Sequence, residues 1–394
     1  MIRHCVKLAW NRKRANALVI FEILVSFLVL FSVILIGMQF HSHYRSELGF
    51  AYDDVFGIVL ESGEERFSDA DGKVALQQLV RQVMTAIREL PEVEFVAASS
   101  FLPYFGGATF YLEDGTVGFE VSDSFAEAMQ LSLVEGRWFR PDDDQLDWVP
   151  VVLTERLSGA RFGGESPLGQ VFSGEGEKET RVVGVVSEFR RGGDFAPPEN
   201  LGFWRMSLSR SDRSFELVPY LLVRAEAGLD ASFEERLVAK LRAAAPDWSF
   251  EVNLLPDMRS DSLSFAILPL AIGGVIVGFL MLMVALGLLG VLWQSVGSRT
   301  REIGLRKAHG ATSIDICSLV IGETLGTSAL AVGLGAGIIL QLPVLDLIGS
   351  FDWGTYTVSV LCSAFLIFLL TFLCALYPSW LACRVHPVVA LHHE

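Results

Sequence analysis

Four long apolar runs punctuate the chain: Ala17–Phe40, Leu263–Trp293, Ile316–Leu345 and Thr357–Leu381. Each is long enough to cross a hydrocarbon core about 30 Å thick as a helix. The second would be about 46 Å long at 1.5 Å per residue, and the surplus predicts a helix that protrudes toward the block preceding it. That block, residues 41–262, has a different period. Val55–Leu60 is strand-like, Gly72–Leu90 repeats Val74, Leu76, Leu79, Val80, Val83 and Ile87 near every 3.6 residues, and Glu94–Ser99 is strand-like again. The order then recurs: strand Leu217–Arg224, helix Ser232–Ala244 with Phe233, Leu237, Val238 and Leu241 on one face, strand Ser249–Leu254. Two β-α-β units therefore flank a middle with strands at Trp148–Thr154 and Thr180–Glu188 and glycine pairs at 106–107 and 163–164. This middle reads as an inserted β-rich lobe.

Charge sets the orientation. The chain has a net charge of −15, but residues 41–262 hold 21 Lys+Arg against 39 Asp+Glu, while the remainder holds 10 against 7. Arg3, Lys7, Arg12, Lys13 and Arg14 precede the first run with no acid among them. Arg299, Arg301, Arg306 and Lys307 stand against Glu302 and Asp315 between the second and third runs, and only Asp346 and Asp352 lie between the third and fourth. The positive-inside rule places both termini and the basic loop in the cytoplasm and the acidic block outside. A signal peptide shows the same charge-then-apolar order, but the first run is long for one, and Ile36–Phe40 offers no small-x-small cleavage site. It reads as a retained anchor.

The expected fold class is an α-helical membrane protein with four transmembrane helices and a large α+β extracytoplasmic domain between helices 1 and 2. The partition is a cytoplasmic N-terminus 1–16, helix 1 at 17–40, external domain 41–262, helix 2 at 263–294, cytoplasmic segment 295–315, helix 3 at 316–345, outer loop 346–356, helix 4 at 357–383 and cytoplasmic tail 384–394. Within the external domain the lobe is 102–188.

The chemistry is defined by what is missing. After His41 and His43 no histidine occurs until His309, and Cys5, Cys317, Cys362, Cys374 and Cys383 all lie outside 41–262. Residues 44–262 therefore hold no Ser-His-Asp triad, Cys-His pair or ordinary zinc site. The cysteines read as small apolar filler in helices. Asp142-Asp143-Asp144 lacks the spacing and glycine of a calcium loop and reads as a solvated turn after Pro141. His41 and His43 read as a headgroup-level polar pair. No Gly-x-x-x-x-Gly-Lys-Ser/Thr occurs, so no P-loop is present. No broad basic surface is available for nucleic acid. No catalytic or metal-ligating set is assigned.

The most informative stretch is Arg299–Thr312. Glu302 and Arg306 form an i,i+4 pair on a short helix, Gly310 suits its C-terminal cap, and Thr312 with Asp315 makes a capping-box start for the third span. On its own this is also what a basic loop obeying the positive-inside rule looks like. However, Arg301-Glu302-Ile303-Gly304-Leu305-Arg306-Lys307-Ala308-His309-Gly310-Ala311 resembles the signature string of the MacB/FtsX family of ABC-transporter permeases. Tyr377–Ala382 and His386–Leu391 are similar to that family's C-terminal ending, and Glu135–Phe139 and Val182–Val186 to its periplasmic core domain.

The resemblance implies a porter-like subdomain made by 41–101 and 189–262, and a coupling helix in 295–315 that docks on a separate ABC ATPase dimer. Arg301, Glu302, Ile303, Gly304, Arg306, Lys307 and Gly310 are the coupling candidates. The chain itself would bind no cofactor; ATP and magnesium would sit on the partner ATPase. It also implies a second permease copy, identical or related, membrane lipids as surroundings, and a periplasmic adaptor with an outer-membrane channel. Gly274, Gly278, Gly322, Gly326, Gly333 and Gly337 are candidates for close helix approach, within the chain or between copies. Glu22 and Glu323 are acids near the cytoplasmic ends of their spans and read as solvated or paired. The expected function is mechanotransmission in an inner membrane: ATP-driven closure of the ATPases moves the external domain, for efflux of a peptide, toxin or small amphipathic compound. The alternatives are lipoprotein extraction or cell-wall hydrolase regulation by the same means, or a membrane-anchored sensor that meets no ATPase.

The orientation has a direct test. In a cysteine-free background, Ser173→Cys and Ser211→Cys should react with an impermeant thiol reagent in intact spheroplasts, and Ser298→Cys should not. Labelling of position 298 alone would reverse the orientation.

Overall fold

The structure, a computed structural model, describes residues 13–61, 70–107, 109–112, 114–173, 179–208, 220–228, 231–344 and 352–383. The N-terminal basic residues up to Arg12, Ser211, the start of the strand expected at Leu217, Asp346 and the motif His386–Leu391 lie outside them. The chain forms two compact units: a helical one, Met1–His41 with Ile267–Glu394, and an α/β one, Ser42–Ala266.

In chain order the elements are α1 (Lys13–Tyr44), β1 (Val55–Glu61), α2 (Ala70–Arg88), β2 (Val93–Ser99), β3 (Phe101–Leu102), β4 (Gly106–Gly107), β5 (Phe110–Tyr111) and β6 (Val117–Val121). Next come α3 (Phe125–Met129), β7 (Leu133–Gly136), a 3-10 turn (Pro141–Gln145), β8 (Val149–Thr154), α4 (Glu155–Phe162), β9 (Val171–Ser173), β10 (Thr180–Val186) and β11 (Leu201–Arg205). The chain continues with β12 (Tyr220–Ala225), α5 (Ala231–Ala244), β13 (Ser249–Leu254), α6 (Leu255–Ser298), α7 (Thr300–Ala308), α8 (Ser313–Ile339), α9 (Gln341–Val344) and α10 (Trp353–Cys383).

Among the described residues, four helices are long and apolar enough to span a membrane: Ala17–Tyr44, Leu255–Gly297, Ser313–Pro343 and Trp353–Cys383. The second begins directly after β13, eight residues before the apolar run, because Leu255 is buried and the polar residues Asp257, Arg259 and Asp261 fit the first turns of a helix. Within the helical unit α1 is central. Ile23, Phe27 and Phe31 are buried against Val284 and Leu288 of α6, Ala331 and Val332 of α8 and Ile367 of α10. Glycine permits two of these approaches: a Cβ at Gly335 would stand 2.5 Å from the Phe27 ring, and one at Gly273 2.9 Å from Val33. Buried Ser359, Ser363 and Ser379 on α10 donate to carbonyls of their own helix at 2.6–2.8 Å, so small hydroxyls pack without orphaned polar groups.

In the α/β unit the two β-α-β units interleave. The main sheet runs β13-β1-β12-β2-β6-β11-β8-β10-β7. β12 lies between β1 and β2 and is antiparallel to both, while β1 lies between β12 and β13. This is a split β-α-β, ferredoxin-like arrangement. Its core joins Val80, Val83 and Ile87 of α2 to Phe233, Leu237 and Leu241 of α5 over Ile58, Leu221 and Val223. β11 pairs with β6 and β8 and so belongs to the lobe sheet, beyond the 102–188 limit read from sequence. The lobe core is rich in phenylalanine: Phe101, Phe119, Phe125, Phe189 and Phe203 are buried and in ring contact at 4.1–6.3 Å. The two halves of the sheet meet at the single ladder pair Ser99↔Val121.

Arginines fix the loops of this unit. Of the turn Asp142–Asp144 only Asp142 is solvated: Asp143 is buried and receives Arg137 Nη1 and Nη2 at 2.9 and 2.6 Å and Arg140 N at 2.9 Å, and Asp144 receives buried Arg205 at 2.5 Å. Burial opposes the charge of Asp143, but the Arg137 and Arg140 bonds outweigh it and hold the carboxyl below its usual range. Periodicity alone gave no sign of this, since the partners lie elsewhere in the chain. Gly136, with φ +77°, leads into the turn beside Val183 O, where a Cβ would collide. Arg224, on β12, is buried and donates only to backbone: Ala128 O at 2.6 Å, Asp53 O and Ala51 O at 3.1 Å. It closes the C-terminal end of α3 and the loop before β1. Replacing it by methionine should cost the α/β unit about 2–4 kcal/mol, three orphaned carbonyls being offset in part by relief of the buried charge. A lower melting temperature, and faster amide exchange in 51–54 and 125–130, should follow in Arg224→Met. Unchanged melting and exchange would contradict this role.

Candidate functional site

The coupling candidates converge on α7, in the helical unit. The helix ends in a Schellman motif: Gly310 N donates to Lys307 O at 3.0 Å and Ala311 N to Arg306 O at 3.0 Å, with Gly310 at φ +92°. Thr312 and Asp315 then cap α8 reciprocally. The chain thus reverses from a short helix into a span within four residues.

One face of α7 is seated. Ile303 is buried in a cluster with Val296, Ile316 and Ala382, from α6, α8 and α10, and Gly304 is buried beside it. Lys307 Nζ donates to Cys383 O at 2.6 Å, a cation on the C-terminal end of α10. Arg299, immediately before α7, makes a bidentate pair with Glu323 of α8 at 2.6 and 3.1 Å. The Glu323 hydrogen bonds, against the opposing effect of burial, raise the hold of Arg299 on its proton. The other face is bare: Leu305 is 52% exposed, and the Glu302–Arg306 pair, at 2.7 Å, leaves both side chains more than 40% exposed. Nothing is described of the Arg301 side chain. A cleft of about 80 Å³ runs beside the seat between Val19, Leu292, Arg299, Ile303, Val320 and Glu323.

The intramembrane acids part company. Glu323 is paired with Arg299, whereas Glu22 lies half-buried over Gly287 of α6, where a Cβ would stand 2.7 Å from its carboxylate. Gly274, Gly278, Gly322, Gly326, Gly333 and Gly337 are not what brings these helices together: among the described residues nothing lies within 4 Å of the place a Cβ would take at any of them. The cysteines also divide. Cys317 and Cys383, at the start of α8 and the end of α10, stand side by side with Cα atoms 6.6 Å apart, whereas Cys362 and Cys374 are free. The packing of α8 on α10 joins two positions 66 residues apart, which no local pattern signals.

Sequence reasoning missed a second group, in the α/β unit. Arg190, Asp194 and Arg259 connect the last residues of α1 with the first turns of α6. Arg190 Nη1 donates to His43 O at 2.6 Å, and Arg259 pairs with Asp194 at 2.9 and 2.6 Å. His43 is part of this group, since its Nδ1 lies 3.0 Å from Phe195 O. Burial pushes the Arg190 guanidinium down in pKa, and burial with the Asp194 charge pushes the Tyr104 phenol up, so Tyr104 stays neutral. The available signal was the string Arg190-Arg191-Gly192-Gly193-Asp194, dense in charge around two glycines. Among the described residues no group of three or more His, Cys, Asp or Glu is arranged to hold a metal.

Two family models match the chain in succession: the MacB-like periplasmic core domain over residues 17–240 and the FtsX-like permease C-terminal domain over 274–387. Among curated relatives, the macrolide export ATP-binding/permease protein MacB of Hahella chejuensis is 26% identical over 70% of this chain and 42% of its own length. MacB 1 of Aeromonas hydrophila is 29% identical over 70% and 43%, and a probable export ATP-binding/permease protein MacB of Pseudomonas entomophila 25% over 100% and 59%. The chain thus spans less than half the length of the first of these relatives. The crystal structure of the periplasmic region of MacB from Actinobacillus actinomycetemcomitans aligns with a TM-score of 0.36 at 17% identity, over 55% of this chain and 96% of that one. The first family model alone covers more than half of the 394 residues, and the chain belongs to the ABC-transporter permeases that carry a MacB-like periplasmic core domain and an FtsX-like C-terminal domain.

Proposed function

We propose that this chain is the permease subunit of an ABC system whose ATPase is a separate chain, and that it passes ATP-driven ATPase closure to its α/β unit as movement. The observation that carries this reading is the division of α7 into a seated face, Ile303, Gly304 and Lys307, and a bare face, Glu302 and Leu305. A loop that served only to set topology has no reason to bury an isoleucine and spend two cations on fixing its orientation. The 394 residues contain no P-loop, so ATP and magnesium bind outside them. The open glycine rows of α6 and α8 suit a second permease copy, because small residues let helix backbones approach. The cargo class that fits is a peptide, toxin or small amphipathic compound handled outside the membrane with an adaptor. The location is an inner membrane, with the α/β unit in the periplasm.

Charge reversal separates a docking role from a structural one. An exposed i,i+4 pair stabilises a helix by only about 0.2–0.5 kcal/mol. A charge facing a partner in a desolvated interface is worth several times more. Glu302→Lys and Arg306→Glu should therefore leave insertion and melting nearly unchanged, yet weaken capture of the ATPase from native membrane at least tenfold. The chain purified alone should show background ATP turnover only. Full capture in both variants, or steady hydrolysis by the isolated chain, would overturn the reading.

A further inference from the structure

The α/β unit includes the last residues of α1 and the first turns of α6. One short segment between β10 and β11, Arg190–Ala196, holds both. Toward α1, Arg190 N donates to Leu48 O at 3.0 Å, and Arg190 Nη1 donates to His43 O at 2.6 Å and reaches Ser46 O at 3.4 Å. Phe195 packs on Tyr44 at 5.8 Å between ring centres. Within the segment, Arg190 Nη2 donates to Asp194 O and Ala196 O at 3.0 and 2.5 Å. Toward α6, Asp194 accepts both Arg259 bonds, and Arg259 also donates to Tyr52 Oη at 2.9 Å and lies over its ring at 4.5 Å. Arg190 and Asp194 are 3% and 6% exposed.

Connectivity makes this arrangement mechanically specific. α6 follows β13, an outer strand of the ferredoxin-like half, whereas Arg190–Ala196 follows β10 in the lobe. The halves share the ladder pair Ser99↔Val121 and an apolar core that takes in Leu255 of α6, so the segment adds a directional polar tie to contacts that are otherwise apolar. A bidentate pair fixes direction as well as distance, which an apolar contact of equal stability does not. We propose that Arg190–Ala196 is a clasp that ties the lobe to both helices, with Asp194 and Arg259 as its positioning pair and Arg190 as its anchor on the end of α1. Motion of α6 then enters the lobe directly. The clasp rests on the mechanotransmission reading, and its test separates the two.

The test uses the full chain in lipid nanodiscs with the ATPase it captures from its own membrane, its native cysteines replaced. Spin labels go on exposed positions in two pairs: Asp261→Cys with Glu165→Cys for helix to lobe, and Asp261→Cys with Glu234→Cys for helix to the ferredoxin-like half. Without nucleotide, the helix-to-lobe distance distribution should be narrow in the parent and at least twofold broader in Asp194→Asn and in Arg259→Gln. The second pair and ATPase capture should stay as in the parent. The exchanged double variant Asp194→Arg with Arg259→Asp should narrow the distribution again. Equal breadth in parent and variants, or equal broadening of both pairs, overturns the clasp. The response to ATP is read separately. If the parent's distances are deaf to ATP while hydrolysis proceeds, the mechanotransmission reading fails; a helix-to-lobe response to ATP that persists undiminished in Asp194→Asn overturns the clasp alone.

Discussion

The bidentate pair of Arg299 and Glu323 fixes the point at which an apolar span gives way to the basic helix α7. Without it, the turn after α6 would carry a free guanidinium at the mouth of an apolar cleft, and Glu323 would be an unmatched acid on α8. With it, the N-terminal end of α7 is tied to α8, Lys307 ties the C-terminal end to α10, and Ile303 is drawn into the space between. Three unlike interactions set three contact points, and three points define an orientation. Partly buried pairs of this kind contribute little net stability, because desolvation offsets attraction, but they penalise alternative placements. A helix held this way can pass on a push instead of absorbing it.

The α/β unit reaches a fixed geometry by different means. Interleaving of its two β-α-β units places strands from both ends of the segment side by side in one sheet, so neither unit folds around its own contacts alone. Buried arginines then fix the loops: Arg224 by backbone carbonyls, Arg205 by Asp123 and Asp144, Arg190 by the end of α1. Each meets acceptors distant in sequence, and each would leave several buried acceptors unpaired if it moved. Rigidity here comes from polar groups whose alternatives are costly, laid over an apolar core that supplies the stability.

Much of this was legible in the sequence. Hydropathy gave the four spans because a bilayer demands long uninterrupted apolar helices, and charge gave their expected orientation. The 3.6 period of Val80, Val83 and Ile87, and of Phe233, Leu237 and Leu241, gave both helices of the ferredoxin-like half. The Schellman and capping-box residues around Gly310 and Thr312 were readable because capping is local. What stayed hidden was non-local. Insertion of β12 between β1 and β2 leaves no mark on either β-α-β unit alone. Asp143 and Asp144 look like a solvated turn until Arg137 and Arg205 are brought to them. Asp194 and Arg259 lie 65 residues apart, and each resembles an ordinary surface charge. The glycine spacings flagged close approach in general, but Gly273 and Gly335 make the contacts within the chain while Gly274 and Gly333 beside them are open. Spacing alone does not choose between neighbouring faces of a helix.

The central claim is that a nucleotide event on another chain is felt in the α/β unit of this one. Hydrogen–deuterium exchange on the full complex in lipid, with and without ATP, measures this directly. The account predicts that ATP alters amide protection in α7 and, far along the sequence, in Arg190–Ala196 and β10. An exchange pattern in 42–266 that is identical with and without ATP, while the captured ATPase turns over, would contradict it.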